Sequence, residues 1–168
     1  MSLENLIVNL EKLEKMHRSL LETALAKTEL IKNNDMEQLD QLLKSEQAHV
    51  AAIEILEKQR QTIVIDYLRA NGVAQTDRVS VADVLAVANE DEYKENLASL
   101  RKNLILILEQ LKEQNLLNQK LVFNSLQVVN LTLDSMRPQQ HNEQFNYSGA
   151  EVRGQAQVAK KTYYDSQA

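Results

Sequence analysis

Residues that interrupt regular backbone structure are scarce in this chain. Its 168 residues include 3 Gly and a single Pro, too few for the turns of a β-sandwich or the loops of an α/β fold. Leu, Gln, Glu, Lys and Ala, which favour helices, make up much of the remainder. The sequence therefore predicts an all-α protein, and its length is that of a single domain.

Composition also argues against several kinds of site. The chain has no Cys, which excludes disulfides, thiolate nucleophiles and Cys-based metal sites. A net charge of −5 disfavours nucleic-acid binding, which needs a basic surface. No apolar run approaches the roughly 20 residues that span a bilayer, and Met1–Leu10 lacks the basic cluster of a signal peptide. We expect no nucleic-acid partner and no membrane insertion.

A helical hairpin is predicted for the first part of the chain. Apolar residues recur every third or fourth position over residues 2–32 and again over 36–70. Asn33–Asp35 interrupts the pattern, and Asp35 with Gln38 has the spacing of a helix-capping box. Because the turn between the two segments is short, we expect the helices to pack antiparallel.

Two further helices are predicted after Gly72, which closes the second one. Ser80 and Asp83 can cap a short helix over about 81–88, and a long helix follows over about 90–136, ending before Pro138. We expect residues 1–137 to form an elongated helical bundle or coiled-coil domain. Gln, Asn and Ser are frequent in residues 138–168, which predicts a flexible tail.

The long last helix is the main candidate for function. At about 1.5 Å per residue it measures roughly 65–70 Å, about 20 Å more than either hairpin helix. Apolar residues at steps of three and four predict a seam along it. That seam consists of Leu97, Leu100, Leu104, Leu108, Leu111, Asn115, Asn118, Val122, Leu126, Val129, Leu133 and Met136.

A second apolar stripe runs along the end of the same helix, rotated by about 120° from the seam. It consists of Leu117, Leu121, Val128 and Leu131. Because the hairpin can cover only one of two stripes, this one predicts a binding site for another protein. With Asn118 and Asn124 it forms the predicted partner-binding surface. Two alternatives are that the short helix around Val84–Val87 covers it, or that a second copy of the chain does.

Asn115 and Asn118 are polar residues in an otherwise aliphatic seam. A buried Asn at such a position fixes the register of packed helices at some expense of stability. The alternative is that the bundle ends at this level and the two side chains meet water. Either explanation fits a helix that changes its neighbours here.

Two Glu-x-x-His pairs, Glu14 with His17 and Glu46 with His49, raise the alternative of a di-metal carboxylate enzyme. The pairs lie on adjacent helices, whereas di-iron bundles alternate them, and only three long helices are predicted instead of four. No phosphate-binding loop, nucleophile elbow or zinc-protease motif occurs. We therefore expect no metal ligands, no cofactor and no catalytic residues.

This arrangement of a long hairpin, a polar connector, a very long last helix and a Gln-rich tail resembles the FlgN family of flagellar export chaperones. The resemblance is strongest over residues 111–118, over 126–136 and at Tyr147-Ser148-Gly149. It implies a cytoplasmic bacterial chaperone that binds hook–filament junction proteins, the first and third hook-associated proteins, through their C-terminal helices. It further implies that the chaperone prevents premature assembly and delivers these proteins to the flagellar type III export apparatus. The rival hypothesis is a homodimeric structural bundle.

Overall fold

The computed structural model of this chain describes residues 3–73, 79–89 and 91–137. Within these ranges the chain forms four helices and no strand: α1 (Leu3–Lys32), α2 (Met36–Ala70), α3 (Val81–Val87) and α4 (Asp91–Met136). The all-α prediction is confirmed, and the helix ends lie within one residue of the expected ones. The predicted tail, residues 138–168, lies outside the described residues.

The helix ends are set by the residues that the sequence indicated. Asp35 Oδ1 accepts a hydrogen bond from the backbone N–H of Gln38 at 3.1 Å, which satisfies an unpaired donor of the first turn of α2. Asn34, with φ 57°, makes the turn before it. At the other end of α2, Gly72 has φ 74°, a left-handed conformation that costs a residue with a Cβ more than glycine.

Helix α1 is the central helix, and both α2 and α4 pack against it. The Tyr93 hydroxyl donates to Glu4 Oε1 at 3.0 Å near the start of α4 and α1. Asn118 meets Thr28 near the end of α1, so these two helices run parallel. The backbones of α2 and α4 both pack against α1 and stay apart from each other, whereas α3 contacts both of them.

The main core lies at the end of the bundle where α3 bridges α2 and α4. All four helices contribute to it, and its most deeply buried side chains are Leu6, Leu10, Val64, Val84 and Leu97. Removing such a side chain from water stabilises the fold by roughly 1.5–3 kcal/mol. The opposite end is thinner: α2 buries only Val64 and Leu68, both near its C-terminus.

The face of α4 that packs on α1 differs from the predicted seam. Its buried residues are Leu97, Leu100, Ile107, Leu111 and Asn118, whereas Leu108 of the predicted seam is half exposed. In the middle of the helix, Ile107 is therefore buried in place of Leu108, and the predicted seam was wrong there by one residue.

Helix α4 extends well past the end of α1. Ile31, one residue before the end of α1, lines the same hollow as Val122 and Leu126 of α4. Every residue from 122 to 136 is exposed, and at about 1.5 Å per residue this segment projects by roughly 22 Å. We call residues 122–136 the overhang.

The last helix was expected to be longer than the hairpin can cover, and the seam accordingly continues past the end of α1. Its last five residues are 42–74% exposed. They are Val122, Leu126, Val129, Leu133 and Met136. The cause is the length of α1, which ends at Lys32, so that no described helix lies beside α4 at this level.

Candidate partner-binding surface

A buried polar cluster marks the level at which α1 stops covering α4. The Thr28 hydroxyl lies 2.6 Å from Asn118 Oδ1 and 3.1 Å from the carbonyl oxygen of Ala24. Asn118 Nδ2 donates to the same carbonyl at 2.9 Å, and Gln114 Nε2 donates to the Thr28 hydroxyl. Both polar atoms of the Asn118 side chain are thus bonded within the chain.

Asn118 therefore occupies a different place from the predicted one. The sequence included it in the partner-binding surface, but the structure places its side chain inside the α1–α4 interface with 4% exposed. The reason is Thr28, whose hydroxyl offers this amide a partner across the interface. Asn115 lies at the edge of a hollow and is partly buried.

The predicted stripe of Leu117, Leu121, Val128 and Leu131, which we call the outer stripe, reaches solvent along its length. Leu117, Val128 and Leu131 are 44%, 62% and 70% exposed, and Leu121 is partly exposed. Asn124 of the same predicted surface is exposed as well. The outer stripe begins beside Leu21 and Leu25 of α1, which line a shallow hollow with Leu117.

The alternative that α3 covers the outer stripe was wrong. Val84 of α3 belongs to the core cluster of Leu6 and Leu97, near the start of α4. The outer stripe lies at the other end of α4, beyond Leu111. Within the described part of the chain, nothing packs over it.

A second face that the described helices leave uncovered accompanies the outer stripe. It consists of the former seam residues Val122, Leu126, Val129, Leu133 and Met136, with Phe123 beside them. At its lower end, Val122, Phe123 and Leu126 line a hollow of about 540 Å³ with Lys27 and Ile31. Sequence reasoning missed Phe123, although the chain has only 2 Phe.

The overhang is nearly free of charge. Asp134 is the only ionisable residue among residues 122–136, and it lies 3.6 Å from Arg137. The remaining polar residues of the overhang are Asn, Gln, Ser and Thr. Such a surface can hold a partner by apolar contact and by neutral hydrogen bonds, with little contribution from ion pairs.

Ion pairs occur instead between and along the covered helices. Lys27 of α1 pairs with Glu46 of α2, and both side chains are largely buried. On α2, Nε and Nη2 of the Arg60 guanidinium donate to the two carboxylate oxygens of Glu57. This hydrogen bonding lowers the pKa of Glu57 below its usual value, and partial burial of the carboxyl opposes the change.

The two Glu-x-x-His pairs do not converge. His49 accepts from or donates to Ser19 Oγ through Nε2 at 2.9 Å, and its Nδ1 lies 2.8 Å from the carbonyl oxygen of Ser45. Glu14 pairs with Arg18, and Glu46 is held by Lys27. Among the described residues, no group of three or more His, Cys, Asp or Glu is arranged to hold a metal ion.

None of the described helices combines the length and the apolarity that crossing a membrane requires.

Fold and surface together define a class: an all-α protein in which the longest helix presents two apolar faces that the other described helices leave uncovered. A family profile described as FlgN protein matches residues 1–152. The chain belongs to the FlgN family, whose members are chaperones of flagellum assembly and are not known as enzymes.

A curated relative extends along the whole chain. The uncharacterized protein YvyG of Bacillus subtilis (strain 168) is 29% identical over 168 residues, and the alignment covers 100% of both chains. No solved structure shows a significant similarity to this chain.

Proposed function

We propose that this chain is a cytoplasmic bacterial chaperone that holds hook–filament junction proteins before their export. Its clients are the first and third hook-associated proteins, bound through their C-terminal helices. Membership of the FlgN family supports the chaperone role. The single observation that carries the binding role is the overhang, because residues 122–136 expose two apolar faces that the described helices leave uncovered.

Binding uses the physics of a helix packing onto a helix. The client segment lays its apolar face along α4, in contact with Val128 and Leu131, and the two helices bury surface that each exposes alone. This covers the aggregation-prone face of the client and prevents its premature assembly. The contact also orders the overhang, whose Val, Asn, Ser and Thr residues have modest helix propensity.

Client binding must also be reversible, since the client leaves the chaperone at the flagellar type III export apparatus. An overhang of about four turns offers a small interface, in the range below about 1,200 Å² that is typical of transient complexes. The scarcity of charges on the overhang avoids the strong, partly desolvated ion pairs that slow dissociation.

The test is a binding titration with the purified C-terminal segment of the first hook-associated protein from the same bacterium. In the variant Val128→Glu/Leu131→Glu, two carboxylates enter the outer stripe. We expect at least a tenfold rise in Kd with unchanged helical content by circular dichroism, because both side chains are exposed.

The matched control is Gln127→Glu/Asn130→Glu, which adds two carboxylates at the same spacing on the more polar side of the overhang. We expect its Kd to stay within about threefold of the parent value. Unchanged binding by Val128→Glu/Leu131→Glu contradicts the proposal, and so does unfolding of that variant, since the outer stripe would then be core.

Light scattering separates this function from the homodimeric bundle. The proposal requires a monomer without client at micromolar concentration. A stable dimer that the Val128→Glu/Leu131→Glu variant dissociates favours the scaffold instead.

A further inference from the structure

A long groove lies between α2 and α4, with α1 at its bottom. The groove exists because both flanking helices pack on α1 while their backbones stay apart. At its base it is filled by α3, which contacts α2 and α4 and buries Val81 and Val84. A short helix of this chain thus already occupies one end of the groove.

Two hollows continue the groove beyond α3. The lower one, of about 440 Å³, includes Val81 of α3 together with Leu13 of α1, Ile53 of α2 and Leu108 of α4. The upper one is the hollow of about 540 Å³ at the root of the overhang. Residues of α1, α2 and α4 line both hollows, so both open on the same side of the bundle.

One face of α4 forms the wall of this groove and continues without interruption onto the overhang. Its residues follow one another at steps of three or four, as positions on one side of a helix do. We call this face the groove stripe: Arg101, Ile105, Leu108, Lys112, Asn115, Gln119, Val122, Leu126, Val129, Leu133 and Met136. Its large apolar members are at least 40% exposed.

The unpaired charges along the groove are positive. On the α2 side, Glu46 and Glu57 are paired with Lys27 and Arg60. On the α4 side, Arg101 and Lys112 form no ion pair with any described carboxylate, although the chain as a whole has a net charge of −5.

We propose that the groove stripe is a second contact surface for the client, beside the outer stripe: a helix of the client lies there in line with α3 and completes a bundle of four helices. The occupant is an amphipathic helix with aliphatic residues at steps of three and four. It carries carboxylates at the end that faces Arg101 and Lys112, and uncharged residues along the overhang. This inference rests on the proposed function and names the chemistry of its partner.

Interface size and charge favour such a segment over a second copy of this chain. Two overhangs packed on each other form a contact of about four turns, below the roughly 1,200 Å² of a stable interface. A segment that continues down the groove to Arg101 doubles the contact length. A second copy would also bring its own Arg101 and Lys112, which are cations, whereas carboxylates are the groups that pair with the cations of the groove.

The test reverses charge without touching the core. In Arg101→Glu/Lys112→Glu, both exposed cations of the groove stripe become carboxylates. The matched control Lys102→Glu/Lys120→Glu reverses two exposed cations on another side of the same helix. We expect at least a tenfold loss of affinity for the hook-associated C-terminal segment in the first variant and less than threefold in the control. Because exposed charges are screened by salt, the difference should shrink in 0.5 M NaCl.

The outcomes separate the groove from the proposed function. Parent-like binding by Arg101→Glu/Lys112→Glu overturns the groove proposal. If Val128→Glu/Leu131→Glu still abolishes binding in that case, the client lies on the overhang alone and the proposed function stands. If neither variant loses affinity, both proposals fail.

Hydrogen exchange identifies the occupant independently. Client binding should slow amide exchange around Ile53 and Leu108, which face each other across the lower hollow. If deletion of residues 138–168 without client instead accelerates exchange there, the C-terminal segment is the occupant and the proposal is overturned. A concentration-dependent slowing without client assigns the groove to a second copy, which also overturns it.

Discussion

The hydroxyl of Thr28 and the side-chain amide of Asn118 form a buried hydrogen bond of 2.6 Å between α1 and α4, across 90 residues of sequence. Below this contact α4 packs on α1 through Leu100, Ile107 and Leu111. Above it, none of the other described helices packs on α4. A polar pair in an aliphatic interface strongly favours one register, so this bond favours the alignment in which α4 projects beyond α1.

Removing one member of this pair should destabilise the protein. In Asn118→Ala, the Ala24 carbonyl and the Thr28 hydroxyl lose a buried partner, at a cost of about 1–3 kcal/mol. Urea unfolding followed by circular dichroism measures the change. The double variant Thr28→Val/Asn118→Leu should recover most of the loss, because apolar groups then replace both polar partners. Additive losses in the double variant contradict this account.

The core and the overhang should respond differently to the same type of truncation. Leu97 is fully buried and Leu126 is 57% exposed. We expect Leu97→Ala to lower the free energy of unfolding by about 2–5 kcal/mol, the range for buried leucines. Leu126→Ala should change it by less than about 0.5 kcal/mol, as at other exposed sites. Equal losses in the two variants would show that Leu126 is buried in solution.

The start of α3 should make stability depend on pH. The Asp83 carboxylate accepts hydrogen bonds from the backbone N–H and the hydroxyl of Ser80, at 2.7 and 2.9 Å. These bonds, the backbone one first, lower the pKa of Asp83. Since the folded-state pKa lies below the unfolded one, the stabilisation is complete above the unfolded value of about 3.9. It is lost as the pH falls through the folded-state pKa.

Asp83→Asn removes this titration. We expect the variant to be less stable than the parent at pH 7 and the gap to narrow progressively below about pH 4. Urea titrations at several pH values measure it, with Asp134→Asn on the overhang as the control. A gap that is the same at pH 7 and pH 2.5 refutes the role assigned to this carboxylate.

The sequence predicted the helices well because the signals that end them are local. Asp35 caps α2 through a side chain three residues from its partner, and Gly72 adopts the left-handed conformation that a helix end requires. Neither signal depends on how the helices pack. The end of α4 before Pro138 follows equally from local geometry.

The phase of the α4 seam was not predictable in the same way. Residues 104–108 read Leu-Ile-Leu-Ile-Leu, so adjacent faces of the helix are equally apolar and periodicity fixes only the spacing. Thr28 on α1 resolves the choice in the structure, because its hydroxyl pairs with Asn118 and Gln114. That partner lies about 90 positions away in the sequence, and spacing within α4 contains no information about it.

The candidate surface was predictable in part. The outer stripe follows from periodicity, and its exposure agrees with the expectation that the hairpin is too short. The exposure of Val122 and Leu126 does not follow, because it depends on the parallel alignment of α1 and α4, which ends α1 beside these residues. The same alignment places the Asn118 side chain inside the α1–α4 interface, whereas the sequence had assigned it to the partner-binding surface.

Amide hydrogen exchange along α4, with and without a hook-associated C-terminal segment, tests the central claim most directly. Without client, residues 122–136 should exchange at least tenfold faster than residues 97–111, because an uncovered helix of about four turns is marginally stable in water. With client, the same residues should become protected, together with those around Leu108 in the lower hollow, while residues 97–100 stay unchanged. Strong protection of residues 122–136 in the free monomer, or no added protection in the complex, would contradict the account.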